Sequence, residues 1–96
     1  MSKRRKFKFQ LYVAGDAPNS SLAIANLTAI CRVYLPDSHE IEVVDVFKEA
    51  KRALAEGVYM TPTLIKLAPL PVRRIVGTLS QTQIVLETFG LGAATA

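Results

Sequence analysis

Apolar and polar side chains alternate early in the chain: Phe7, Phe9, Leu11 and Val13 share one parity, and Lys8, Gln10 and Tyr12 share the other. A period of two is that of a β-strand. Ala14-Gly15-Asp16-Ala17-Pro18-Asn19-Ser20 then breaks the pattern with turn and cap formers. Beyond it the period lengthens. Ala23, Ile24, Leu27, Ile30, Cys31 and Tyr34 fall on one stripe at helical spacing. This predicts a helix from about Pro18 to Tyr34, with Asp16, Asn19 or Ser20 accepting the free amide hydrogens at its start. Pro36 and the polar Asp37-Ser38-His39 end it.

Ile41 to Val46 is rich in β-branched residues and reads as a second strand. A short helical stretch, Lys48 to Glu56, follows and closes at Gly57; Ala50, Ala53 and Leu54 give it only a narrow apolar face. Thr63 to Leu67 and Val72 to Val76 are two further strands, joined by Ala68-Pro69-Leu70-Pro71. That connection is short enough for an antiparallel hairpin. In the last element Ser80 is placed to cap a helix, with Gln83 reaching back and Leu79 set to pack on Ile84. Val85, Leu86 and Phe89 continue the apolar side, and Gly90 offers a left-handed stop. The order is βαβαββα, an α/β domain with a four-stranded mixed sheet and helices on both faces. Periodicity alone leaves ferredoxin-like sheets open as well.

Ninety-six residues, half of them hydrophobic and 21% charged, make one globular domain with a modest core. The net charge of +4 is uneven, because Lys3, Arg4, Arg5, Lys6 and Lys8 crowd the start; past them, acidic residues slightly outnumber basic ones. The division expected is a basic tail over 1–6, a folded domain over 7–90 and a small-residue tail over 91–96. A basic run of this kind can touch nucleic acid or anionic lipid, but it is more commonly a solvated terminus. No apolar run reaches membrane-spanning length or has the core of a signal peptide, so neither nucleic acid nor membrane is the expected partner and the cytoplasm is the expected compartment.

The junction Thr61-Pro62-Thr63, directly before the third strand, narrows the fold. Thioredoxin-like domains place a cis-proline there, and the resemblance implies a structural cis bond at Pro62; an ordinary trans proline opening a strand is the alternative. Together with Leu11-Tyr12-Val13-Ala14-Gly15, Pro18-Asn19-Ser20, Val44-Asp45-Val46 and Pro69-Leu70-Pro71-Val72-Arg73-Arg74-Ile75-Val76-Gly77, this junction resembles the KaiB family of circadian-clock proteins over residues 7 to 90. The resemblance implies a protein-interaction module. Its implied partners are a KaiC-type ATPase and a KaiA-like protein or histidine kinase. It further implies that the C-terminal half has an alternative, tetrameric fold, so a homo-oligomer belongs to that state. The contact surface it implies includes Phe7, the stretch Glu56, Gly57 and Val58, and the final helix near Thr88 and Gly90. Many family members have Gly at 88, Asp at 90 and Asp at 78, where this chain has Thr88, Gly90 and Thr78. A threonine in place of a mid-helix glycine favours the helix by a few tenths of a kcal/mol, on a scale where glycine is about 1 kcal/mol worse than alanine. These local terms tilt the chain toward the thioredoxin-like form. The departures from the family pattern also fit a divergent paralogue in stress or phase signalling, and the alternative function is a degenerate thioredoxin-like sensor or stress-signalling domain with a different protein partner.

Catalytic chemistry finds little to work with. A thiol oxidoreductase needs a cysteine at the first helix's N-terminus, where the dipole and free amides lower its pKa. Here Asp16-Ala17-Pro18-Asn19-Ser20 occupies that place, and the single cysteine, Cys31, sits on the apolar stripe as a core residue. His39, the single histidine, lies in a polar turn with no further metal ligands placed to help it. No metal or cofactor is expected. Arg73 and Arg74 alternate on a strand, so at most one of them faces inward; the outward one either serves a partner or is part of a solvated edge, and the sequence favours neither.

Overall fold

The computed structural model describes residues 6–91; the basic run through Arg5 and the tail from residue 92 lie outside it. Four strands form one sheet in the order β2-β1-β3-β4. β1 (Phe7–Val13) lies inside the sheet, parallel to β2 (His39–Asp45) and antiparallel to β3 (Thr63–Ala68). β3 pairs antiparallel with the edge strand β4 (Arg73–Val76). This is the mixed sheet the sequence predicts, in the thioredoxin-like order.

The two parities of β1 feed two cores. Phe7, Phe9, Leu11 and Val13 pack with Ala23, Leu27, Ile30 and Cys31 of α1 (Pro18–Tyr34) and with Val85, Leu86 and Phe89 of α3 (Thr82–Phe89). On the opposite face Tyr12 joins Val44, Val58, Ile65 and Ala53 of α2 (Ala50–Ala55). Burying both faces of a strand is what interior position in an α/β sheet requires. It explains why Tyr12, of the polar parity, is fully buried.

β2 begins at His39, two residues before the apolar run suggests, because the Phe7 amide donates to the Ser38 carbonyl and starts the parallel ladder there. His39 Nδ1 donates to the Leu35 carbonyl oxygen at 2.7 Å, which ties the turn to the end of α1. At the start of α1 the expected side-chain cap is absent: Ala17 holds that place, and Ser20 Oγ accepts instead from the Ala14 amide, ahead of the helix, at 3.0 Å. α2 is shorter than predicted. The amides of Lys48 and Glu49 both donate to the Asp45 carbonyl in a turn, and Leu54 is exposed, leaving Ala53 as the buried side chain of the helix.

α3 also starts later than its capping pattern implies. Gln81 is the cap residue, without a side-chain hydrogen bond, and Ser80 Oγ lies 2.6 Å from Thr78 Oγ1. Leu79 is buried in the main core, Ile84 is half exposed, and the two line one surface depression. Gly90 takes the left-handed conformation at φ 84°, as its position predicts. Leu91, assigned above to the tail, packs against the core, and its amide donates to the Leu86 carbonyl at 2.8 Å. The Thr61–Pro62 bond is cis, as are Ala68–Pro69 and Leu70–Pro71.

Candidate protein-docking groove

An open groove of about 920 Å³ runs across the end of the sheet where β1 begins. Phe7 supplies its floor, the Pro69-Leu70-Pro71 turn and Arg73 one wall, and Thr88, Phe89 and Gly90 the other, with Tyr34 to Pro36 closing the end. The aromatic floor follows from packing. Phe9 and Phe89 sit with ring centroids 4.7 Å apart, and Phe7 lies 6.1 Å from Phe9 and 6.4 Å from Phe89. Such separations are within the range of favourable ring pairing. Leu70, at the tip of the turn, is 74% exposed and stands free beside the opening.

Two cations face this side of the sheet. Lys66 and Arg73 are cross-strand partners, and the Lys66 ammonium lies 6.0 Å from the centre of the Phe7 ring. α1 and α3 both end at the groove, and the carbonyl end of a helix carries partial negative charge. Arg73 and Glu87 are exposed at the rim, and Lys66 lies buried below it against the apolar floor. Lys66 is only 4% exposed, and among the described residues no buried side-chain polar atom lacks a hydrogen-bond partner. A lysine inside the apolar run Thr63-Leu64-Ile65-Lys66-Leu67 was the signal for it, and the sequence reading passed over it.

Arg74 points to the other face, as strand alternation requires. Its guanidinium donates to the carbonyl oxygens of Glu56 and Gly57, at the end of α2. Phe7, Arg73, Thr88 and Gly90 thus share the groove, and Glu56 and Gly57 form a neighbouring patch joined to it by Arg74. Val58 departs from the expected contact surface. Its side chain is 6% exposed and packs in the second core, so the exposed surface of this stretch is Glu56 and not valine. Thr88 is half buried, and its hydroxyl donates to the Ile84 carbonyl at 3.0 Å.

The thioredoxin-type reaction centre has no counterpart. Cys31 is fully buried, and burial pushes its thiol from an ordinary 9.0 up to about 12, the reverse of an activated thiolate. The loops where a redox motif would sit are held by Asp45, whose Oδ1 accepts from the Gly15 and Phe47 amides at 3.1 and 2.9 Å. Among the described residues no group of three or more His, Cys, Asp or Glu is placed to hold a metal ion, and no helix is long and apolar enough to cross a membrane.

The family model for the KaiB domain matches residues 10–91. The chain belongs to the KaiB family. A circadian clock oscillator protein KaiB from Synechococcus elongatus is 43% identical over 86 residues, covering 90% of this chain and 84% of that one. Circadian clock protein KaiB3 from Synechocystis is 43% identical over 77 residues, covering 80% and 76%. Among solved structures, the N-terminal domain of Synechococcus elongatus SasA superposes with a TM-score of 0.73 at 17% identity, covering 91% of this chain and 83% of that one. Chloroplastic thioredoxin z superposes at 0.75, also at 17% identity, covering 95% and 82%. At that identity the likeness shows a shared thioredoxin-like fold.

Proposed function

We propose that this KaiB-family protein is a non-catalytic interaction module that docks on a KaiC-type ATPase in its thioredoxin-like form. The single observation that carries the reading is the groove, where Phe7, Arg73, Thr88 and Gly90 from three separate elements line one opening. An apolar floor with a charged rim has the anatomy of a docking surface. Arg74, Glu56 and Gly57 extend the contact around the sheet edge. Family membership supplies the partner class, and a KaiA-like protein or a histidine kinase would compete for the same or an adjoining surface. The inert, buried Cys31 supports a role without thiol chemistry. The absence of an apolar spanning helix among the described residues fits action in the cytoplasm.

The test is capture of the N-terminal ATPase domain of a KaiC-type protein from the same genome, in both ATP- and ADP-bound states. Wild-type protein is expected to bind in at least one state. Arg73→Glu is expected to weaken binding at least ten-fold while leaving the thermal midpoint within a few degrees, since Arg73 is exposed. No capture in either nucleotide state overturns the proposal.

A further inference from the structure

The connection between β4 and α3 is built unlike the others. After Gly77, whose amide donates to the Pro62 carbonyl at 2.9 Å, the chain runs through Thr78, Leu79 and Ser80 before α3 begins at Thr82. Leu79 stands in the left-handed region at φ 63°, a conformation disfavoured for a residue with a Cβ, and its side chain is 4% exposed in the main core. Beside this stretch is an open surface depression of about 290 Å³, lined by Thr78, Leu79 and Ser80 with Val76 and Ile84, both half exposed. A residue held at positive φ persists only where its surroundings hold it there.

That hold comes from α1. Asn26 Nδ2 donates to the Thr78 carbonyl oxygen at 2.8 Å and lies 3.4 Å from Ser80 Oγ, which is 2.6 Å from Thr78 Oγ1. We propose that Asn26 is a positioning residue, a latch that keeps Leu79 in its left-handed, core-inserted state and thereby sets where α3 sits on the sheet. The geometry is specific. One side-chain amide bridges the residues on either side of Leu79, so the strained residue is clamped on both flanks. When the latch opens, Leu79 relaxes out of the core and α3 shifts with it, carrying Phe89 and Gly90 away from Phe7. The latch therefore controls the shape of the groove from the far end of α3, whichever partner the groove takes.

The test compares native-state hydrogen exchange in wild type, Asn26→Asp and Asn26→Ala. Aspartate has nearly the shape of asparagine but, ionised, has no hydrogen to donate to the Thr78 carbonyl. Both variants are expected to speed exchange of the α3 amides from Val85 to Phe89 by about five-fold, the effect of one lost hydrogen bond, with the slowest β1 amides changed less than two-fold. Adding Leu79→Gly to Asn26→Asp provides a second measurement, read against the slowest β1 amides because the change also empties a core site. Glycine adopts positive φ without strain, so α3 exchange relative to β1 in the double variant should not differ from that in Leu79→Gly alone. Unchanged α3 exchange in Asn26→Asp, or an equal rise in β1 and α3, overturns the latch. So does full additivity of the two substitutions.

Discussion

Cys31 shows at the scale of one residue how placement decides chemistry. A thiol about a dozen residues into α1 is walled in by the main core, and desolvation alone raises its pKa to about 12. The folded state thus holds the thiol proton more tightly than the unfolded chain does. The stability linked to this site is complete below an ordinary thiol value of 9.0 and is lost as pH rises from there toward about 12. Urea unfolding from pH 8 to 10.5 is expected to show a steeper alkaline decline for the wild type than for Cys31→Val, since valine removes the titrating group. The same burial predicts that iodoacetamide leaves the native thiol unmodified at pH 8 and labels it only through unfolding. Labelling of native protein at the rate of a free thiol would contradict this.

Among the elements, α3 joins the main core to the groove. Phe89 packs on Phe9 and Phe7, while Ile84, near the start of the helix, is half exposed. Phe89→Ala is expected to cost about 3–5 kcal/mol, the usual range for emptying an aromatic core site. Ile84→Ala should stay within about 0.5 kcal/mol, as exposed substitutions do. Urea midpoints at constant m-value measure both, and a Phe89→Ala cost no larger than that of Ile84→Ala would mean that α3 is not docked as described. The element order, α1 from Pro18 to Tyr34 and the stop at Gly90 were all legible from sequence, because period and turn residues are local signals. The start of α3 was not. Ser80 and Gln83 carry a capping pattern, but Leu79 is buried in the core in a left-handed conformation and residues 78–81 form an irregular connection instead. Val58 was misjudged for a related reason: a valine after Gly57 is compatible with a loop surface until Tyr12 and Ile65 are seen to close over it. Lys66 was overlooked because strand alternation says which face a residue takes, but not what covers that face.

Across the whole molecule, charge and surface are separated. Lys3, Arg4 and Arg5 supply three of the twelve basic residues and lie outside the described residues, while the groove draws on Lys66 and Arg73. If docking belongs to the groove, removing residues 1–5 should leave affinity for a KaiC-type ATPase domain within two-fold. Any retention on heparin or anionic vesicles should disappear with them. A tail-dependent loss of ATPase binding, read by surface plasmon resonance at 150 mM salt, would move the interface away from the groove. The family was legible in local motifs such as Pro69-Leu70-Pro71-Val72-Arg73-Arg74. The grouping of Phe7 with Thr88 and Gly90 came only through that resemblance, since no local pattern links residues at the two ends of the domain.

The crossing of Arg74 to the carbonyls of Glu56 and Gly57 has a consequence beyond partner binding. An outermost strand with unpaired amides invites further strands from neighbouring molecules, and crowding copies together makes that risk grow. Here that strand is four residues long, begins with two guanidinium groups, and has one of them fastened sideways to a helix end. Two such borders meeting would set like charges against each other. The charge of these arginines is thus expected to oppose edge-to-edge pairing of copies, whether or not a partner also uses it.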